Sequence, residues 1–323
     1  MKAICFDRTG GPDVLAVKEI ELPPPGPGCI RVSHRAIGIN YIDTYQRSGL
    51  YALPLPSGLG SEAAGVVEAI GEGVTRFAIG DRVGYCSGPI GAYAEANNVP
   101  ENRAVKLPDG IGFDTAAASM LKGFTVQYLI KRTFAVQAGQ TVLFHAAAGG
   151  VGLIAGQWLR ALGVKAIGTV GSAEKRVVAS EAGYARVLLT GSEDWVKTVR
   201  NVTNGAGVPV VYDSIGKDTF ERSLDCLAPR GLMVSFGNAS GPVPPFSPAL
   251  LSAKGSLFLT RPTLQHHIAT PEDLQQTADD FFAAILSGKV MVTIGQIFRL
   301  SEARAAHEAL HSRKTIGSTI LVP

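Results

Sequence analysis

Residues 141–152, TVLFHAAAGGVG, constrain the fold more than any other part of the chain. Thr141, Val142, Leu143 and Phe144, with His145 able to pack beside them, are too few for a helix and are bounded by Gly139 and Gly149, so they read as a buried parallel strand. Ala147, Ala148, Gly149 and Gly150 then strip the side chains from a tight turn, and residues 151–162 carry apolar residues at helical spacing. A strand, a glycine turn and a helix aim backbone N–H groups and the positive end of the helix dipole at one spot, which suits a pyrophosphate. A turn of this kind also occurs where a strand and a helix merely pack closely. The next segment decides between the two: residues 164–170, VKAIGTV, read as a second strand and complete a βαβ unit of dinucleotide-binding size.

Composition bounds the rest. The chain's 323 residues, 46% hydrophobic and 18% charged, favour two ordinary domains over one large core. A net charge of +3, with no run of five or six like charges, gives no nucleic-acid surface, so small molecules are the expected partners. The apolar stretch near the start, residues 3–6, is too short for a signal-peptide core, and no apolar run approaches a membrane span. A cytoplasmic protein with no membrane partner is expected. Cys5, Cys29, Cys86 and Cys226 form no CxxC pair and suggest neither a zinc knuckle nor a disulfide framework.

Residues 1–107 read as short strands between turns. In 29–36 Ile30, Val32 and Ala36 alternate with Arg31, Ser33 and Arg35, and 65–70, 81–85 and 92–96 are further strands, a spacing typical of a small barrel or sandwich. Residues 114–130 read as a helix broken near Gly123, where the chain crosses into the dinucleotide domain. The parallel sheet resumes at 209–212, 232–236 and 256–260, ending respectively in Asp213-Ser214, Gly237 and Arg261. Small and polar residues at strand ends sit where ligands bind in an open α/β sheet. Two helices (273–286 and 301–312) and a last strand (317–322) are expected to return to the first domain.

Cofactor choice follows from one position. An NAD-specific fold carries an acidic residue about twenty positions beyond the glycine turn. Here Gly171 and Ser172 occupy it, followed by Lys175 and Arg176. Without a carboxylate to repel a 2′-phosphate, and with Ser172 as donor and Lys175 as point charge, NADPH is the expected cofactor. The alternative for Lys175 and Arg176 is a solvated helix start.

With barrel, dinucleotide domain and returning tail in place, the chain resembles the medium-chain dehydrogenase/reductase superfamily, in particular its zinc-independent NADPH:quinone oxidoreductases related to zeta-crystallin. The resemblance rests on AIGINYIDTYQRSGLY (36–51), LPSGLGSEAAGVV (55–67), GDRVGY (80–85), LKGFTVQYL (121–129), HAAAGGVGLIAGQW (145–158) and LMVSFGN (232–238). It implies an α/β fold with a GroES-like, barrel-type catalytic domain (1–122 and 263–323) and a doubly wound Rossmann domain (123–262) binding NADPH. It also implies a homodimer along an edge strand, for which 257–260 is the candidate; the other reading makes that strand interior. The cofactor set is then Asn40, Thr125, Ala148, Gly149, Gly150, Val151, Gly171, Ser172, Lys175, Ser214, Phe236, Gly237, Arg261 and, in the SRKTIGS segment, Arg313. Thr190 stands where the subfamily usually has a tyrosine, which puts one ribose-side contact in doubt.

Where zinc-dependent members of the superfamily carry a GHE turn, this chain has Gly60-Ser61-Glu62, and serine is a poor zinc ligand. No metal is expected, and Glu62 reads as a structural carboxylate. His307-Glu308-Ala309-Leu310-His311 fits HExxH, yet it lies on the last helix with no third ligand and reads as a partly packed helix with His307 against Ala303. Chemistry then falls to Asn40, Tyr45 and Tyr51, grouped with Arg47 within a dozen residues. A phenol offers a flat face to a ring and one O–H to an oxygen, and Asn40 suits the ribose or the acceptor. Asn40 capping a turn, and the tyrosines packing at a rim, are the plainer alternatives. The expected reaction passes hydride from NADPH to a quinone or related enone without metal. The competing function is an NADPH-binding protein with an RNA-binding or structural role.

Overall fold

The computed structural model describes residues 1–312 and 315–323, which form two compact units. The first comprises residues 1–124, 268–286 and 292–323, and the second 125–267 and 287–291.

The first unit is built on one long strand, Cys29–Ile39. Its residues 30–37 pair with Glu62–Ile70, interrupted by two irregularities in register. Along its other edge, residues 29–33 pair with Ala96–Pro100 and residues 37–39 with Ser318–Val322. Bulges bend a strand, which lets two different strands share one edge and curls the sheet toward a barrel. Arg82–Cys86, Ala104–Lys106 and Ile294–Arg299 complete the seven strands, and Ala16–Glu19, Lys2–Phe6 and Ser57–Gly58 form a second, smaller sheet. The alternation read from sequence holds: Ile30, Val32 and Ala36 are fully buried, joined by Ile37, Val67, Val83 and Tyr93 in one core.

Two expectations fail in this unit. Residues 92–95 form no strand beyond a single bridge at Ala94, and the strand is Ala96–Pro100 (ANNVP). Asparagine and proline are poor strand formers, but the waiting edge at residues 29–33 overrides propensity. The helix Phe113–Gln127 runs unbroken through Gly123. Glycine is required there because the Phe281 ring of helix Pro271–Leu286 occupies the space a Cβ would fill.

The second unit is a six-stranded parallel sheet in the order Arg186–Leu189, Lys165–Val170, Thr141–Phe144, Val208–Asp213, Leu227–Ser235, Phe258–Thr260. Numbered along the chain this is 3-2-1-4-5-6, the doubly wound order, with its reversal at the strand Thr141–Phe144. Leu143, Ile167, Val211 and Met233 anchor the core beside Trp195. His145 is fully buried, Nδ1 at 2.7 Å from Thr169 Oγ1 and Nε2 at 2.9 Å from Ser223 Oγ, so both ring nitrogens are satisfied. The last strand is shorter than expected and stands at the sheet edge with Phe258 60% and Leu259 37% exposed, which removes the reading of that strand as interior.

Candidate functional site

In the second unit the strand Thr141–Phe144 turns at Ala146, whose φ is +54°, and Gly149 N–H closes the turn on Ala146 O at 3.0 Å. Helix Gly150–Ala161 starts at once, with Gly149 as its N-cap. Gly152 is dictated by packing: a Cβ there would overlap Ala146 O and the Ala147 carbonyl. The N–H groups of Gly150, Val151 and Gly152 lie in the first helical turn, where no intrahelical acceptor exists, so they and Ala148 form an anion cradle at the reversal point of the sheet.

The adjacent strand ends in Gly171, around which a Cβ would meet nothing within 4 Å, and Ser172, N-cap of helix Ala173–Glu181. Ser172 Oγ accepts from Lys175 N at 3.4 Å. Lys175 is half-buried, and burial pushes its ammonium pKa down. Arg176 pairs with Glu193, whose carboxylate also accepts from Leu189 N, so the two basic residues read together in sequence have different surroundings. Thr190 lies beside Val170, its Oγ1 donating to Val170 O at 3.3 Å. Sequence reasoning passed over Glu174, whose exposed carboxyl is held below its usual range by the Ser172 hydroxyl.

The remaining strand ends share this edge of the sheet. Asp213, fully buried, accepts from Ile215 N, Gly216 N and Thr219 Oγ1, which makes it a clamp for the loop carrying Ser214. A Cβ on Gly237 would lie 2.5 Å from Ser214 O, so the loops at 214 and 237 meet backbone to backbone. Phe236 is half-exposed and tilted against Phe144 at 5.8 Å. Arg261 donates Nη1 to Ser235 O at 2.8 Å, and the Asn238 amide oxygen faces its Nη2 at 3.2 Å. The parallel strands therefore bring Ala148, Gly149, Gly150, Val151, Gly171, Ser172, Lys175, Ser214, Phe236, Gly237 and Arg261 to one edge. Thr125 is buried in helix Phe113–Gln127, and Arg313 lies outside the described residues.

In the first unit, Asn40 caps helix Tyr41–Ser48 in a reciprocal capping box with Asp43, whose Oδ2 accepts Asn40 N–H at 2.8 Å. Asn40 Nδ2 donates to Glu62 Oε2 at 2.7 Å. One of its two amide hydrogens is thus committed and one remains for a ligand. Glu62 is fully buried, accepts Leu121 N at 2.6 Å and faces Lys122 Nζ at 3.8 Å; Lys122 itself donates to Ile39 O. Burial pushes the Glu62 carboxyl up and the Lys122 ammonium down, each opposed by the other's charge. That agrees with the structural reading of Glu62.

Tyr45 and Tyr51 are both half-buried, edge to face at 5.3 Å, with Tyr41 tilted on Tyr45 at 5.8 Å. Arg47 does not join them. It is 2% exposed, donating Nε to Gly10 O and Nη1 to His307 Nδ1 at 3.2 Å. The helix period explains this, since residues 43 and 47 share one face and residues 41 and 45 another. His307 is fully buried on the same helix face as Ala303, with Nε2 3.1 Å from Tyr93 Oη, while His311 is exposed.

The donor set does not fit zinc. Ser61 offers a hydroxyl, the Glu62 oxygens are taken by Asn40 and Leu121, and both His307 nitrogens have partners. Among the described residues no three His, Cys, Asp or Glu side chains are grouped as a metal site.

Two family models match the chain: the alcohol dehydrogenase GroES-like domain over residues 26–109 and the zinc-binding dehydrogenase over 150–284. A quinone oxidoreductase of Pseudomonas aeruginosa is 55% identical over 323 residues, covering 100% of this chain and 99% of its own. A 2-haloacrylate reductase of a Burkholderia species is 42% identical, covering 99% and 98%. Among solved structures, the Escherichia coli quinone oxidoreductase complexed with NADPH superposes with a TM-score of 0.98 at 49% identity, covering both chains completely.

Proposed function

The chain belongs to the quinone oxidoreductases of the medium-chain dehydrogenase/reductase superfamily, and on that footing we propose that it is an NADPH-dependent quinone oxidoreductase. The observation that carries this reading is full-length likeness to an NADPH-bound quinone oxidoreductase together with a Gly171-Ser172 strand end that has no acidic residue at the position of an NAD site. The RNA-binding or structural alternative draws no support from the relatives, which are named as reductases.

NADPH fits the second unit: the glycine turn leaves room for a pyrophosphate against the first N–H groups of helix Gly150–Ala161, and Ser172 and Lys175 supply a donor and a charge for the 2′-phosphate. We assign NADPH binding chiefly to residues 125–267, with Asn40 and Arg313 as further contacts, and the acceptor to Asn40, Tyr45 and Tyr51. When bound, the nicotinamide supplies the hydride. The protein's task is then to hold a flat acceptor and stabilise the negative charge that develops on its oxygen. Tyr45 and Tyr51 present ring faces and hydroxyls for this, and Asn40 offers its second amide hydrogen. Thr125, Phe236, Arg261 and Arg313 complete the assigned cofactor set, while Thr190 takes the place of a ribose-side tyrosine. We further propose a cytoplasmic homodimer joined along the Phe258–Thr260 edge, whose exposed Phe258 and unpaired backbone suit a second copy.

NADPH oxidation with a simple benzoquinone tests the activity, with NADH as the control. Lys175→Glu should weaken NADPH roughly ten- to a hundredfold, the scale of a lost charged hydrogen bond, and leave NADH nearly unchanged. Equal effects on both cofactors would remove Lys175 from the phosphate site.

A further inference from the structure

The helix Tyr41–Ser48 is tied to the barrel by a polar chain assembled from residues far apart in sequence. Tyr93 Oη donates to Asp43 Oδ2 at 2.8 Å, so its oxygen is left to accept from His307 Nε2–H at 3.1 Å. His307 Nδ1 then accepts Arg47 Nη1–H. Every hydrogen in this chain has one consistent direction, and it requires neutral His307. Burial, reinforced by the Arg47 charge, holds that imidazole at about 3, well below the usual histidine range. Asp43, Tyr93 and His307 are fully buried and Arg47 nearly so.

The chain grips the helix twice. Asp43 holds its start through Asn40 N–H, and Arg47 holds its last turn while also bonding Gly10 O. Two grips one turn apart on the same face fix both the rotation and the advance of an eight-residue helix. Tyr45 lies midway between them on the opposite face, and Asn40 is the helix cap.

Resting on the reading that Asn40 and Tyr45 serve the acceptor, we propose that Tyr93 and His307 are positioning residues for that helix, so that the last helix of the chain, Ala303–His311, sets the geometry of acceptor reduction. Both His307 ring nitrogens are engaged in this chain of hydrogen bonds, so the HExxH spelling does not offer His307 as a metal ligand.

The test compares Tyr93→Phe, which keeps the ring and cuts the relay, with Asp43→Asn, whose amide oxygen still accepts from Tyr93 and Asn40. Steady-state kinetics with benzoquinone, NADPH affinity by fluorescence titration and melting temperature are measured for each. Tyr93→Phe should lower kcat/KM for the quinone roughly ten- to a hundredfold, as small misplacements of reacting groups do, with NADPH affinity retained. Asp43→Asn, the conservative variant that keeps the acceptor, should lose less than Tyr93→Phe. His307→Leu carries the same expectation as Tyr93→Phe and serves if that variant does not fold. A folded Tyr93→Phe or His307→Leu with undiminished kcat/KM, whatever its melting temperature, overturns the positioning role. Wild-type protein that binds NADPH but reduces no quinone overturns the functional reading itself, and this inference with it.

Discussion

Asp43 shows how one buried residue ties the catalytic unit to pH. Burial outweighs its hydrogen bonds from Asn40 N and Tyr93 and the charge of Lys122, raising its carboxyl from 3.8 to about 7, with Glu62 adding in the same direction. Its Oδ1 and the nearby Gln46 Oε1, three residues on along the helix, are both buried acceptors without a hydrogen. A proton on Asp43 Oδ1 turns that unpartnered acceptor into a donor. A carboxyl that holds its proton more tightly folded than unfolded stabilises fully below the unfolded value, and that contribution is lost as pH rises through the folded one. Wild-type stability should therefore decline between about pH 4 and 7 relative to Asp43→Asn, by up to a few kcal/mol at about 1.4 kcal/mol per unit. His307 has the opposite sign, since its lowered value costs stability as pH falls below the unfolded range, but it is common to both proteins and cancels in the difference. Thermal unfolding of the two across pH 4 to 8 checks this; parallel curves would mean that Asp43 is ionised throughout.

At the scale of elements, the strand–turn–helix at residues 141–161 works because Gly152 lets the helix start directly against the Ala146–Ala147 backbone. Gly152→Ala should force turn and helix apart, destabilising the second unit by about 1–3 kcal/mol as an overpacked site. NADPH affinity should fall with it, because the first-turn N–H groups move off the pyrophosphate. Denaturant unfolding and NADPH titration report the two effects, and a variant with unchanged affinity would separate the cradle from the cofactor. The Phe113–Gln127 helix carries the opposite lesson. Its Gly123 looked like a helix breaker, and in isolation it is a weak point; what makes it glycine is a phenylalanine 158 positions away in sequence, Phe281, lying where its side chain would be.

For the whole molecule, the open question of assembly narrows to one edge. The strand Phe258–Thr260 closes one side of the six-stranded sheet with exposed Phe258 and Leu259. An exposed apolar edge is a template for pairing unless charge blocks it. Phe258→Glu should shift the proposed dimer toward monomer, read by sedimentation velocity, without unfolding the second unit. A wild-type chain that sediments as a monomer at all concentrations would remove the dimer. At the same scale, the chain leaves the first unit at residue 124 and returns to it at 268, leaving again for residues 287–291, so the relay from His307 to Asp43 joins residues 264 positions apart.

The sequence by itself determined what depends on local pattern: the glycine turn with its strand and helix, the alternation at Ile30, Val32 and Ala36, the absence of an acid at Gly171-Ser172, and the serine where a zinc ligand would stand. These are legible because periodicity and missing side chains act over a few residues. Tertiary structure alone decided which groups meet. The strand at residues 96–100 exists because an edge awaited it, Arg47 turned from the tyrosines because the helix face it shares with Asp43 is the buried one, and Arg176 found Glu193 across a turn. His307, an ordinary residue of an amphipathic helix when read along the chain, became a buried link to Tyr93 and Arg47. Such pairings are set by packing between segments from 17 to 260 positions apart, where burial makes each unsatisfied polar atom expensive and so selects the partner that no local spacing encodes.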